Sequence, residues 1–443
     1  MFFFAFKKNK KQPEPQPQRQ ELRPLKIVVV GDDSNSVLHV KETISNILKQ
    51  YGLFSVALEE EQALENFLNL NNKNFFDFWD SGLKILKQYQ ADALIRIYQE
   101  KNNIRINFQT DQMYQTSEPP FFSLLQSLYL PVSYFNQNSL PSQISNLMAA
   151  TLIALNLKKD FAYQSVLEKL INILSKNKIP DGIERNFVPH LLIFLSLNYI
   201  SAKADHFGKK DVKLILNLAT FAYKNLTNEY DSLAEGALLT TLGQTYQCAS
   251  ANPKADSIPL IQRAIESYKK ALKHFNRYIF PYDYGRLSLV LSALYFQYFQ
   301  LSEDSQTLRD AVFYLREAEK IFTPAGFPHL WAKIEHNLGC YLSLLSARSN
   351  NTDIANLAIQ NFKNEQRIFT KQDNPEKWAD IEIQIANIYY YLGKKISNKR
   401  TLETAIDHYS YAFQIFDLLK QNERILEIET YIQKADEEIM RLN

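Results

Sequence analysis

Residues 281–299 read PYDYGRLSLVLSALYFQYF, residues 328–346 read PHLWAKIEHNLGCYLSLLS, and residues 375–393 read PEKWADIEIQIANIYYYLG. Each stretch begins with proline, and each begins 47 residues after the one before it. An aromatic residue follows each proline by three positions, as Tyr284, Trp331 and Trp378. A fixed period shared by several residue types predicts an array of repeated structural units.

The same register extends over the rest of each unit. It aligns Leu291, Leu338 and Ile385, then Ala311, Ala358 and Ala405, and then Phe322, Phe369 and Phe416. One step further back it reaches Ala264 and Phe275, which predicts a fourth copy whose first helix, at Leu242-Gly243, is displaced by two residues. Apolar residues recur at helical spacing, so each copy is predicted to be a pair of antiparallel helices. Small residues let the two helices approach closely, and only the next pair can bury the remaining apolar face.

The repeat resembles the tetratricopeptide repeat, which carries Leu-Gly-x-x-Tyr in its first helix and small-x-x-x-aromatic-x-x-small in its second. The first pattern lies at Leu242-Gly243 with Tyr246, Leu291-Ser292 with Tyr295, Leu338-Gly339 with Leu342, and Ile385-Ala386 with Tyr389. The second lies at Ala264, Tyr268, Ala271; Ala311, Leu315, Ala318; Ala358, Phe362, Glu365; and Ala405, Tyr409, Ala412. The chain departs from the family in its 47-residue period, against a usual period of about 34, and in Glu365, where a small residue is expected.

The resemblance implies that a partner protein or peptide lies in a groove lined by the first helices. The family's groove positions select a mixed polar and aromatic set in this chain: Thr240, Gln244, Gln247, Arg286, Phe296, Gln297, Lys333, His336, Ser343, Leu344, Asp380, Asn387, Tyr390 and Tyr391. The set lacks the Lys/Asn combination with which family members clamp a C-terminal carboxylate, so chaperone tails are not the expected partner.

The segment that precedes the repeats is predicted to be a small α/β domain. Strands are predicted at Leu25–Val30, Phe54–Leu58, Ala93–Tyr98 and Ile104–Phe108, with helices after the first two and a hairpin between the last two. The unit is therefore β-α-β-α-β-β. Its hairpin is similar to one in bacterial proteins that place a domain akin to the N-terminal domain of the Tol-system propeller protein before long-period tetratricopeptide repeats. Those proteins commonly carry Trp-Gly where this chain has Arg96-Ile97.

The fold class predicted for the whole chain is α+β and mainly α, with the α/β domain followed by a helical solenoid. Residues 13–18 read PEPQPQ, which favours an extended linker. The predicted divisions are a tail at 1–23, the α/β domain at 24–115, a linker at 116–140, degenerate helical repeats at 141–226, four repeats at 227–422 and a capping helix at 423–443.

Composition and motifs argue against most kinds of catalytic, metal and nucleotide site. The chain has 50 Lys+Arg against 48 Asp+Glu, so no global field favours nucleic acid. It has no glycine-rich phosphate loop, no nucleophile elbow and no cluster of metal ligands, and His336 with Cys340 is more simply a groove-lining pair. Gly31-Asp32-Asp33 superficially resembles the opening of a response-regulator receiver, but Arg96 and Tyr98 stand where that family needs an acceptor aspartate. A turn that caps a helix is the better interpretation of Gly31-Asp32-Asp33.

Two cysteines, Cys248 and Cys340, suit a reducing cytoplasm. No apolar run is long enough to span a membrane. The N-terminal apolar residues and lysines at 2–11 could contact an anionic membrane surface weakly.

The predicted function is that of a non-catalytic interaction or scaffold protein, with no cofactor, that binds a protein or peptide partner in the groove. The alternative is a signalling regulator whose α/β domain binds a small ligand or nucleotide near Gly31 and acts through the repeats.

Overall fold

The structure is a computed structural model. It describes residues 24–442 except 32–33, 61–71, 101, 111–126, 137–139, 141, 156–171, 173–175, 180–182, 204–206, 227–230, 253–254, 279 and 350. The predicted tail at 1–23, including the membrane contact at 2–11, lies outside the described residues, and so does most of the predicted linker. What the structure shows is an α+β fold, a small mixed sheet followed by a helical solenoid.

Five strands form one sheet in the order β2-β1-β3-β4-β5. They are β1 Leu25–Gly31, β2 Phe54–Glu60, β3 Ala93–Glu100, β4 Asn103–Gln109 and β5 Ser127–Pro131. The first three strands pair in parallel, and the last two add antiparallel pairings. Helix α1, Asn35–Gln50, and helix α2, Asn72–Tyr89, connect the parallel strands. The predicted β-α-β-α-β-β order is confirmed.

The fifth strand corrects the prediction of a linker over 116–140. Ser127–Pro131 pairs with β4, and Leu128 and Leu130 are buried against the main core. A strand can be this short, with only two buried side chains at alternate positions, when a neighbouring strand supplies its hydrogen bonds. Five residues are too few for the alternation to stand out in the sequence.

Strand β1, which lies between β2 and β3, is buried on both faces. Ile27 and Val29 belong to one core cluster with Val37 of α1, whereas Val28 belongs to another with Leu86 of α2. Because side chains alternate across a strand, this arrangement requires apolar residues at every position, and the run of valines supplies them.

Two 3-10 helices, Val132–Tyr134 and Arg185–Phe187, and twelve α-helices follow the sheet in the described residues. The helices are α3 Ser142–Leu155, α4 Val188–Lys203, α5 Lys209–Lys224, α6 Asp231–Ser250, α7 Ser257–Leu272, α8 Pro281–Ser302, α9 Ser305–Glu319, α10 Pro328–Arg348, α11 Thr352–Glu365, α12 Pro375–Lys395, α13 Lys399–Leu418 and α14 Asn422–Leu442. The predicted prolines are the first residues of α8, α10 and α12, where proline's fixed φ and missing N–H cost nothing. From α6 onward each even-numbered helix is the first helix of a pair and each odd-numbered helix is the second.

The sheet and the array share one core. The ring of Phe108 on β4 lies 5.9 Å from the ring of Phe194 on α4. The main cluster of buried apolar residues runs from Leu25 to Leu392. The α/β domain therefore packs directly on the helices that precede the regular repeats.

The last helix keeps the period of the array. Asn422, the first residue of α14, lies 47 residues after Pro375. Helix α14 packs on α13 through Ile428, which is fully buried. It thus occupies the place of a further first helix, while its exposed residues Leu426 and Met440 face away from the array core.

Candidate interaction surface

Helix pairs approach closely where a glycine meets an aromatic ring. A Cβ atom built on Gly243 would lie 2.8 Å from the ring of Tyr268, and one built on Gly339 would lie 2.8 Å from the ring of Phe362. Such distances are well inside van der Waals contact, so no larger residue fits without displacing a helix. The small residues of the second helices are all fully buried: Ala264, Ala271, Ala311, Ala318, Ala358, Ala405 and Ala412. The predicted packing register is therefore present.

Consecutive first helices lie side by side. The ring of Phe296 on α8 stacks on the ring of Tyr341 on α10 with centroids 4.2 Å apart. The hydroxyl of Tyr391 on α12 donates to the carbonyl of Ala347 on α10 at 3.0 Å. Arg424 on α14 pairs with a carboxylate oxygen of Asp380 on α12. The result is a surface that continues across four first helices, and we call it the first-helix face.

The predicted groove residues divide by exposure. Thr240 is fully buried, and its hydroxyl donates to the carbonyl of Gly236, so it is not available to a partner. Tyr391 is exposed. The others are half-buried: Gln244, Gln247, Arg286, Phe296, Gln297, Lys333, His336, Ser343, Leu344, Asp380, Asn387 and Tyr390. A half-buried side chain on a helix packs inward on one side and meets solvent on the other.

Some of these side chains also hold the array together. Gln247 accepts a hydrogen bond from the hydroxyl of Tyr268 at 2.9 Å, and Asn387 accepts one from the hydroxyl of Tyr409 at 2.6 Å. Burial raises the pKa of both tyrosines, so both phenols stay protonated and donate. Gln247 and Asn387 thus join a first helix to its own second helix.

A buried ionic cluster lies between α10, α11 and α12. The Nδ1 atom of His336 is 2.9 Å from Oε2 of Glu365, and the Nζ atom of Lys377 is 3.3 Å from Oε1. Glu365 is almost fully buried. Burial lowers the pKa of His336, but hydrogen bonds to Cys340 and Glu365 outweigh it and raise the pKa to about 10. The imidazole is therefore a cation at neutral pH and compensates the buried carboxylate.

A second buried acidic residue, Glu335 of α10, is in a different protonation state. Oε2 of Glu335 accepts a hydrogen bond from the Asn364 amide at 2.9 Å, whereas Oε1 has no hydrogen-bond partner among the described residues. Burial raises the pKa of Glu335 to about 8, the Asn364 amide lowers it, and the Glu319 carboxylate raises it. This carboxyl group is thus protonated at neutral pH, since burial penalises its charged form. In the next repeat Glu382 holds the equivalent position and contacts Nδ1 of His408 at 2.5 Å instead.

His336 and Cys340 lie close together on α10. Cys340 Sγ lies 3.6 Å from Nε2 of His336. Within the described residues no group of three or more metal-ligating side chains could hold an ion. Beside Gly31 the space is filled, since a Cβ atom there would lie 2.5 Å from Val37 and 3.1 Å from the Ile97 carbonyl. Asp32 and Asp33 lie outside the described residues, so ligand binding at this turn stays a prediction.

Arg96 is fully buried on the α2 side of the sheet, and its Nη2 atom donates to the hydroxyl of Ser81 at 2.7 Å. The residue that departs from the Tol-type hairpin thus has a structural role here. The resemblance of the domain to that family stays a prediction. None of the helices that the structure describes is long and apolar enough to cross a bilayer.

The observed class is an α/β domain joined to an array of helix pairs. No protein-family model matches the chain, and no curated protein matches it. Among solved structures it is similar to a signal transduction ATPase with numerous domains (STAND) that has a tetratricopeptide repeat sensor, from Pyrococcus horikoshii. The identity is 10% and the TM-score 0.42, over 93% of this chain and 55% of that one. The chain thus spans about half the length of that protein.

Sequence reasoning missed Glu335 because a glutamate in a helix is normally read as an exposed residue. One signal of burial was available in the sequence, since Glu335 and His336 stand together in a helix that is otherwise largely apolar. Cationic residues also recur at the 47-residue period on the second helices.

Proposed function

We propose that the chain is a non-catalytic interaction protein built from long tetratricopeptide-like repeats, which holds a peptide segment or a partner domain along its first-helix face. The observation that carries this proposal is the side-by-side arrangement of first helices whose half-buried residues keep the repeat register. Gln297, Leu344 and Tyr391 stand at equivalent positions of three successive helices. A ligand that lies across the helices would meet the same kind of position in each repeat.

The residue types on this face suit a protein partner. Tyr390 and Tyr391 offer large aromatic area at a small entropic cost, and such residues dominate binding hot spots. Arg286 and Lys333 are cationic at equivalent positions, whereas Asp380 at the third is paired with Arg424. A mixed surface of this kind favours a specific segment over a uniform polyanion. Two unpaired thiols, Cys248 and Cys340, suit action in a reducing cytoplasm.

Site-specific cross-linking in the full-length chain tests the proposal. A photoreactive amino acid is placed at Gln297 or at Tyr391, and the control is Glu403, an exposed residue of α13. We expect one partner to be captured at both first-helix positions and not at the control, with the cross-linked segment identified by mass spectrometry. Capture that is equal at all three positions, or absent from both test positions, would refute the assignment of the face.

A further inference from the structure

The second helices carry cations that keep the 47-residue period on their solvent side. One row, Lys269, Arg316 and Lys363, lies in the last turns of α7, α9 and α11, and the other, Lys273, Lys320 and Arg367, lies just after these helices end. Five of the six side chains are exposed and Arg316 is half-buried. Helix α13 has Ser410 and Gln414 at the same positions, so both rows end there.

The cations of α9 and α11 have acidic or aromatic neighbours within the chain. Arg316 pairs with Glu319 at 2.8 Å, and Lys320 pairs with Glu317. The guanidinium of Arg367 lies 5.7 Å from the ring centre of Trp331. The two carboxylates offset the positive charge that α9 presents to solvent.

The cationic side of α7 borders a cleft, which we call the outer cleft. Its wall is formed by Lys269, Lys270 and Lys273, its floor by Tyr295 and Tyr298 of α8, and its far side by Tyr314 of α9. Its volume is about 570 Å³, within the usual range of about 300–1,000 Å³ for ligand sites. None of the residues that line the cleft is among the predicted groove residues.

Charge and shape together define what fits there. Three lysines stand against one carboxylate, Glu266, which pairs with Lys270 at 2.7 Å. The rings of Tyr295 and Tyr314 stack with centroids 5.6 Å apart and present an aromatic surface between the helices. The cleft therefore combines a positive rim with an aromatic floor.

We propose that the outer cleft binds an acidic peptide segment of a partner protein, with an aromatic side chain of the segment against the tyrosines and its carboxylates beside the lysines. A nucleic-acid backbone fits less well, because Glu266 interrupts the lysine wall and Glu317 and Glu319 offset the cations that would continue it. Carboxylates of a short segment need to reach only Lys269, Lys270 and Lys273.

Fluorescence anisotropy of the full-length chain with a fluorescein-labelled peptide, Glu-Asp-Glu-Phe-Asp-Glu-Glu, tests the proposal. We expect saturable binding that weakens at least about tenfold in Lys269→Glu/Lys273→Glu. The matched control is Lys49→Glu/Lys87→Glu, which makes the same charge change at exposed positions of α1 and α2 and should weaken binding less than about twofold. Replacing the phenylalanine of the peptide by serine should also weaken binding about tenfold, since the aromatic contact is lost.

Several results would overturn the proposal. They are the absence of binding to the unmodified chain, equal weakening in the test and control variants, and an unchanged affinity of the serine peptide. Tighter binding of a seven-nucleotide single strand than of the peptide would assign the cleft to nucleic acid instead. Tyr390→Ala/Tyr391→Ala, on the first-helix face, should leave the affinity for the peptide unchanged, so failure here is distinguishable from failure of the proposed function.

Discussion

Glu365 lies with its Oε2 atom 2.9 Å from Nδ1 of His336, and this contact accounts for the departure of one repeat from the small-residue pattern. Ala318 and Ala412 hold the position of Glu365 in the neighbouring repeats. A carboxylate buried there needs a compensating cation, because an uncompensated buried charge costs several kcal/mol. His336 supplies that cation within the repeat, and Lys377 supplies a second one from the next repeat.

Removing one partner should therefore cost more than removing both. Glu365→Ala removes the carboxylate that His336 and Lys377 share and should lower the free energy of unfolding by about 2 kcal/mol. His336→Ile/Glu365→Ala copies the arrangement of the neighbouring repeat, which has Ile383 and Ala412, and should recover at least half of that loss. Urea denaturation of Glu365→Ala, His336→Ile and the double variant measures the coupling energy between the two residues. Additive losses would show that the pair contributes nothing as a pair.

The same pair should make stability depend on pH. The folded-state pKa of His336 is raised to about 10 from 6.5. The stabilisation is therefore complete below pH 6.5 and is lost as the pH rises toward about 10. We expect the melting temperature to fall over this range, and to fall less steeply in His336→Ile/Glu365→Ala. Parallel melting curves for the two proteins from pH 6.5 to 9.5 would contradict the assignment.

Glu335 should add a second pH effect that begins at lower pH. Its folded-state pKa is raised to about 8 from 4.5, so the folded chain holds a proton that the unfolded chain releases. Stability is thus lost as the pH rises from 4.5 to 8. Glu335→Gln cannot ionise and still accepts from Asn364, so at pH 8.5 it should melt higher than the unmodified chain by about 2 °C or more. Both proteins retain His336, so equal pH dependence of the two between pH 5 and 6.5 would contradict this.

How far the sequence predicts this fold depends on whether a feature repeats. Pro281, Pro328 and Pro375 predicted three helix starts because the period averages over several copies. Strand β5 occurs once, and its two buried leucines do not recur at a fixed spacing from which the sequence could predict a strand. The protonation of Glu335 depends on burial by three helices, which residue type alone does not reveal. The groove positions could be placed on the first helices, but the bond from Tyr409 to Asn387 could not be read from spacing.

The packing register is tested most directly on α11. Ala358 is fully buried where two helices meet, whereas Asn356 is exposed on the same helix. Ala358→Leu overpacks the junction and should lower the free energy of unfolding by about 1–3 kcal/mol. Asn356→Leu is the matched control and should change it by less than about 0.5 kcal/mol. Equal losses in the two variants would show that the register is wrong.

The last prediction separates the binding role of the first-helix face from its structural role. Asn387 holds the Tyr409 hydroxyl, so Asn387→Ala should cost about 1–3 kcal/mol of stability and is a poor test of binding. Tyr391 is exposed, and its one hydrogen bond in the structure goes to the Ala347 carbonyl. Tyr390→Ala/Tyr391→Ala should therefore weaken binding of the cross-linked partner by roughly 2 kcal/mol, about thirtyfold, with the helical circular dichroism signal retained. The control is Gln414→Ala, at an exposed position of α13. If the tyrosine variant folds and binds as tightly as the control, the ligand lies elsewhere, and if it unfolds, the two rings belong to the core.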